Sequence, residues 1–160
     1  MSNINFYCIE EDINQFLYSF LTKLVDSQKK VIIYSENQEK MDKLDELLWT
    51  MKKTAFLPHL KHTDKGWDRT PLLISNQKEN KINAHFLLIS NFLDDDIFLK
   101  QFEKTFYIFS PVNQNLLNEA EDNWNKYSSK KYNLNFLKKD VSGKWVESKE
   151  FVKPKSSTLI

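Results

Sequence analysis

Hydrophobic and polar positions along this chain follow two periods in alternation. "INFYCI" (4 to 9) is a short apolar run closed by the acidic "EED", and it reads as a buried strand leading into a helix. Ile13, Phe16, Leu17, Phe20, Leu21 and Leu24 then fall within about 100° of arc at helical spacing, one broad apolar face. "VIIYS" (31 to 35) is a second strand, and Asn37 is placed to cap a helix that runs through Leu44 to about Trp49. Strand, helix, strand, helix with short links predicts an α/β fold built on a mainly parallel sheet flanked by helices.

Beyond that, "KKTAFLPHLKHTDKGWDRT" has no sustained period and contains Pro58 and Gly66, so it reads as a loop holding at most a short turn. "PLLIS" (71 to 75), "HFLLIS" (85 to 90) and "FYIFS" (106 to 110) are further strands, with a short acid-capped helix in "DDDIFLKQF". A last helix spans 113 to 131, and "YNLNFLKKD" is one more strand. From about Ser148, the composition of Lys149, Lys153, Pro154, Lys155, Ser156 and Ser157 is that of a flexible tail. The organisation expected is a single α/β domain over 1–147 followed by a tail over 148–160.

At 160 residues the chain is long enough for one sizeable core. Its 23 Lys and Arg against 22 Asp and Glu leave a net charge of +1, which excludes nucleic-acid binding driven by overall charge. The single cysteine, Cys8, has no partner for an internal disulfide and lies in an apolar run, which points to a reducing compartment. Neither a signal peptide nor a run of about 18 apolar residues is visible, so the expected location is cytoplasmic, with no membrane contact.

A sheet of this kind places ligands at the carboxyl ends of its strands, yet the phosphate-cradling glycines are missing. The two glycines, Gly66 and Gly143, lie far from the turn after the first strand, which carries Glu10, Glu11 and Asp12 instead. "HLKHTD" offers His59, His62 and Asp64, but no fourth ligand is evident, and the plain reading is loop histidines on the surface that bind nothing. Ser35, Ser75, Ser90 and Ser110 end strands without the glycine elbow of a nucleophile. No catalytic residue, metal site or cofactor site is assigned.

Aromatic residues off the core stripes remain. With Met41, Leu44, Leu47, Leu48 and Met51 forming the apolar stripe of their helix, Trp49 points the other way, among Asp42, Asp45, Glu46 and Lys53. Two readings stand: Trp49 is an exposed anchor for a partner, beside Phe56, Leu57, Pro58 and His59, or the following loop folds back over it. Trp124 also has two readings. It shares a helix face with Leu116, Ala120 and Tyr127, as a core residue would, and Lys126, Lys130 and Lys131 gather nearby, joined in sequence by Lys138 and Lys139. Those lysines either complement the helix dipole or surround a pocket for an acidic peptide.

Several of these stretches together resemble the chi subunit of bacterial DNA polymerase III: "FYCIEED", "KKVIIYSENQEKMDKLDELLW", the "FLPH" that follows, "HFLLISNF", and "YNLN" after a helix carrying Trp124 and Tyr127. The resemblance covers about residues 4 to 136 in family order, and "LDELLW" with "FLPH" is its most specific part. It implies a Rossmann-like three-layer sandwich without a nucleotide-binding glycine motif, and a non-catalytic accessory subunit of the clamp-loader assembly. One family surface holds the psi subunit or, alternatively, a repair helicase, and its matching residues here are Trp49, Phe56, Pro58 and His59. A separate surface receives the acidic C-terminal tail of single-stranded DNA-binding protein, so contact with DNA is only indirect. For that surface the resemblance implies Trp124 and Tyr127, with Lys126, Lys130 and Lys131 as the source of charge. The positions where the family carries basic residues match Leu117, Glu121 and Asn125, so either the shifted lysines serve or the contact is lost. The competing reading from another class is a small α/β enzyme with a nucleotide or small molecule at its strand ends.

Overall fold

The computed structural model describes residues 2–50 and 57–153. Its centre is an eight-stranded sheet ordered β3-β4-β2-β5-β6-β1-β7-β8. The strands are β1 (Asn3–Cys8), β2 (Val31–Tyr34), β3 (Leu60–Lys61), β4 (Leu72–Ser75), β5 (Phe86–Ile89), β6 (Lys104–Phe109), β7 (Asn133–Lys139) and β8 (Trp145–Ser148). Every pairing is parallel except that of β7 with β8. The helices are α1 (Ile13–Asp26), α2 (Gln38–Thr50), α3 (Asp96–Leu99) and α4 (Gln114–Ser129).

Alternation within β1 builds both layers at once. Ile4, Phe6 and Cys8 face the cluster completed by Phe98, Leu99, Ala120, Trp124 and Tyr127 of α3 and α4. Tyr7 and Ile9 turn to the other face, where Tyr18, Leu21, Met41 and Leu48 of α1 and α2 close the second cluster. Two buried faces require near-continuous apolar strands, which is why these segments read as runs rather than as alternation. The register of β1 on β7 sets Asn3 beside Asn133 and Asn5 beside Asn135. Their amides bond side by side, Asn133 Nδ2 to Asn3 Oδ1 at 2.7 Å and Asn135 Nδ2 to Asn5 Oδ1 at 3.1 Å, and the match is lost by any one-residue slip.

The fold class is the one the pattern predicts, and two strands escape it. β3 lies inside the stretch read as loop, where the short turn allowed for is the 3-10 turn at Trp67–Arg69. A two-residue strand is too short to show a period. β8 is largely solvent-exposed along its length, so it carries no alternation either. Its hairpin is fixed by Asp140, whose carboxylate accepts from Ser142 N at 2.8 Å and Lys144 N at 3.0 Å, while Gly143 takes φ +86°. "DVSGK" was the turn signal that could have exposed it.

Residues 149–153 follow β8 without regular structure, yet Phe151 packs on the α4-side cluster. The rest of the expected tail, 154–160, lies outside the described residues, as do Met51, Lys53 and Phe56.

Candidate functional site

Asn37 caps α2 as its position implies, its carbonyl side chain accepting from Lys40 N at 2.9 Å. With Met41 and Leu48 buried on one side, Trp49 is carried out on the other and is 51% exposed. The following loop also reaches it in part, because His59 lies against it with ring centroids 4.8 Å apart. Pro58 is half-buried and Leu57 buried.

His59 itself is not on the surface, which corrects the reading of the loop histidines as exposed. Its Nδ1 lies 2.7 Å from Leu57 O, and its Nε2 lies 3.3 Å from Asp45 O and 3.3 Å from Asp45 Oδ1. Sequence showed a polar residue in a polar loop; it could not show that Asp45, fourteen residues earlier in the chain, waits to receive it. His62 is half-buried, its Nδ1 shielded and without a hydrogen-bond partner among the described residues. Among those residues no group of three or more His, Cys, Asp or Glu is placed to hold a metal ion.

Lys61 ties β3 to α2 through Asp42, 3.0 Å away, and this bond with a second from Gln38 holds the Asp42 carboxyl below the usual carboxylate range. On the outer side of β3, Asp64 takes both free backbone groups of Lys61: Lys61 N donates to Asp64 Oδ2 at 2.9 Å, and Asp64 N donates to Lys61 O at 2.9 Å. The sheet edge beside Trp49 is therefore closed to an added strand at that residue.

The second expected surface is rearranged. Trp124 is a core residue, edge-on to Phe6 at 5.1 Å and to Phe136 at 6.1 Å. Tyr127 is fully buried, its hydroxyl donating to Leu93 O at 3.1 Å and accepting from Leu93 N at 2.9 Å, and burial holds its phenol well above the usual range. Lys126 stands over the Phe92 ring at 4.9 Å. Lys130 is bound by Asp94 at 2.6 Å and Asp96 at 3.0 Å, so most of its charge is already answered. Lys131 is exposed, at φ +68°. Lys138 and Lys139 do not join this group. They sit at the far end of β7, roughly 20 Å along the strand, paired with Glu10 at 3.9 Å and Glu11 at 2.9 Å.

Of the positions matched to the family's basic residues, Leu117 is buried and belongs to the core. Glu121 is half-buried and pairs with Lys153 at 3.1 Å, and Asn125 is exposed. Sequence reasoning missed Lys153 and Phe151 because both lie in a stretch whose composition is that of a tail.

At the carboxyl ends of β1 and β7 a cleft of about 820 Å³ opens between Cys8, Phe136, Val146 and Val152, with Glu10, Glu11, Lys138 and Lys139 at its rim. This is where a Rossmann-like sheet would receive a phosphate. In the turn after β1, Asp12 caps α1, its Oδ1 accepting from Asn14 N at 3.0 Å and Gln15 N at 3.3 Å, so the N–H groups a phosphate needs are occupied by the chain's own carboxylate.

A three-layer Rossmann-like domain with acidic residues where the phosphate loop belongs, and a tryptophan carried outward on α2, defines the class. The family model of the DNA polymerase III chi subunit, HolC, matches residues 1–135. The chain belongs to that family and is an accessory subunit of DNA polymerase III. No curated protein matches it. Among the described residues no helix is long and apolar enough to cross a membrane.

Proposed function

We propose that this chain is a non-catalytic, cytoplasmic link that joins the clamp loader, through the psi subunit, to single-stranded DNA-binding protein during replication. The observation that carries the reading is Trp49: a large aromatic, 51% exposed on the outer side of α2 and seated against a buried imidazole. Large aromatics on a rigid element are the side chains that serve as interface anchors. Pro58, which fixes its own φ, and Phe56 are the further residues that the family resemblance assigns to this contact. A repair helicase is the alternative occupant of that surface.

The second contact, with the acidic tail of single-stranded DNA-binding protein, falls to the exposed end of α4, where Lys126 and Lys131 remain accessible, while Trp124 and Tyr127 are buried in the core and offer it no open surface. This contact is the weaker of the two, since Lys130 is engaged by Asp94 and Asp96.

Calorimetric titration of the cognate psi subunit into the full chain tests the reading. Wild type binds, and Trp49→Ala weakens the complex at least tenfold, about 1.4 kcal/mol or more. Equal affinity for both proteins removes Trp49 from the interface. A thermal shift with nucleotides or flavins would favour the enzyme reading instead.

A further inference from the structure

We infer that His59 is a positioning residue for the Trp49 surface: it fastens the loop to α2 and sets the indole without touching a partner itself. This rests on the reading of that surface as a partner interface. The side chain of His59 is 0% exposed, so a partner docked on the outside does not reach it. Its two ring nitrogens face two different parts of the chain. Nδ1 is directed at Leu57 O, within its own loop, and Nε2 at Asp45, on α2. Each of these neighbours is an oxygen acceptor, so each contact is a hydrogen bond in the protonation form that carries a proton on that nitrogen.

The Asp45 carbonyl is also the one that α-helical geometry assigns to the N–H of Trp49, four residues on. His59 thus grips the turn of α2 from which Trp49 projects, and its ring meets the indole at an interplanar angle of 54°. An apolar residue of similar size would fill the space and hold neither oxygen. The bond across to α2 fixes the loop's distance from the helix, and the ring contact fixes the rotamer of the indole. A hot-spot aromatic delivers its affinity only when it is already ordered, because ordering a rotamer-rich side chain on binding opposes association.

The test uses the full chain labelled with 5-fluorotryptophan, in which the resonance of Trp49 is assigned by its loss in Trp49→Phe. The variants are His59→Phe, which keeps a ring and loses both ring nitrogens, and His59→Gln, whose amide retains a donor. Two readouts are taken on each, the four tryptophan resonances and the affinity for the cognate psi subunit. In His59→Phe the Trp49 resonance shifts while those of Trp67, Trp124 and Trp145 stay in place, and affinity falls at least tenfold; in His59→Gln both effects are partly rescued. A merely structural role would instead disturb all four resonances together and would not respond to the amide. An unmoved Trp49 resonance in His59→Phe overturns the inference, as does unchanged affinity with a shifted resonance. Should His59→Phe fail to fold, His59→Gln decides by the same two criteria. If wild type does not bind the psi subunit, the interface reading fails, while the resonances still report whether His59 sets Trp49.

Discussion

Phe151 meets Trp124 edge to face, ring centroids 5.9 Å apart, stacks on Phe109 at 5.9 Å, and meets Phe136 edge to face at 4.8 Å. The segment after β8 is thereby held to the outer part of the α4-side core, and Lys153 adds an ion pair with Glu121 at 3.1 Å. A residue set between Glu150 and Val152, with a lysine on either side of them, completes an aromatic cluster that begins with Phe6.

Phe151→Ala is therefore expected to cost about 2 kcal/mol of unfolding free energy, less than a fully enclosed phenylalanine because its ring is only half-buried. Urea unfolding measures this, and an unchanged midpoint would show that the segment contributes nothing to the core.

The two tryptophans on α2 and α4 should separate cleanly. Trp124→Ala, at a site 7% exposed and packed on three aromatic rings, is expected to lose about 3 to 5 kcal/mol. Trp49→Ala should stay within about 1 kcal/mol of wild type. Denaturant curves on the pair suffice, and comparable losses would make Trp49 a core residue after all.

Restoring positive charge on α4 is expected to depend on register. Leu117→Lys places an ammonium at a site 2% exposed and should destabilise by several kcal/mol or abolish folding. Asn125→Lys, on the exposed face, should be tolerated within about 0.5 kcal/mol and should tighten binding of an acidic peptide. Melting curves and a peptide titration distinguish the two.

Cys8 is 1% exposed, and burial pushes its thiol up to about 12. Since the thiolate is the reactive form, a disulfide reagent at about pH 8 should label the native protein slowly, at the rate of opening, and the denatured protein at once. Rapid native labelling would mean that the adjoining cleft admits the reagent to the sulfur.

The Asp96 carboxyl accepts from the Tyr132 hydroxyl and from Lys130, and these bonds hold it below the ordinary carboxylate range. A folded pKa below the unfolded value of about 3.9 gives stability that is present above that pH and is lost as pH falls through the folded value. Asp96→Asn should therefore be less stable than wild type near pH 6, with the two converging below about pH 3. A constant difference across that range would assign the effect to packing.

Much of this was legible in the chain. The apolar runs of β1, β2, β4, β5 and β6 and the faces of α1 and α4 follow from local spacing, because a strand buried on both faces and a helix buried on one must be written that way. The acids after β1 announced that the sheet lacks a phosphate loop. Trp49 stood out because its angular position contradicts the stripe of its own helix, a relation set within a few turns.

Other features depend on residues far apart in sequence. That His59 is buried follows from Asp45 and Leu57 meeting its two nitrogens, and that Lys130 is engaged follows from Asp94 and Asp96 arriving beside α4. Composition set a tail after Ser148, yet Phe151 packs where Phe109, Trp124 and Phe136 converge. Local periodicity determined the longer strands and helices and which of their faces are apolar, but not β3 or β8; which polar group is buried and which charge is answered were decided only when the sheet brought distant partners within bonding range.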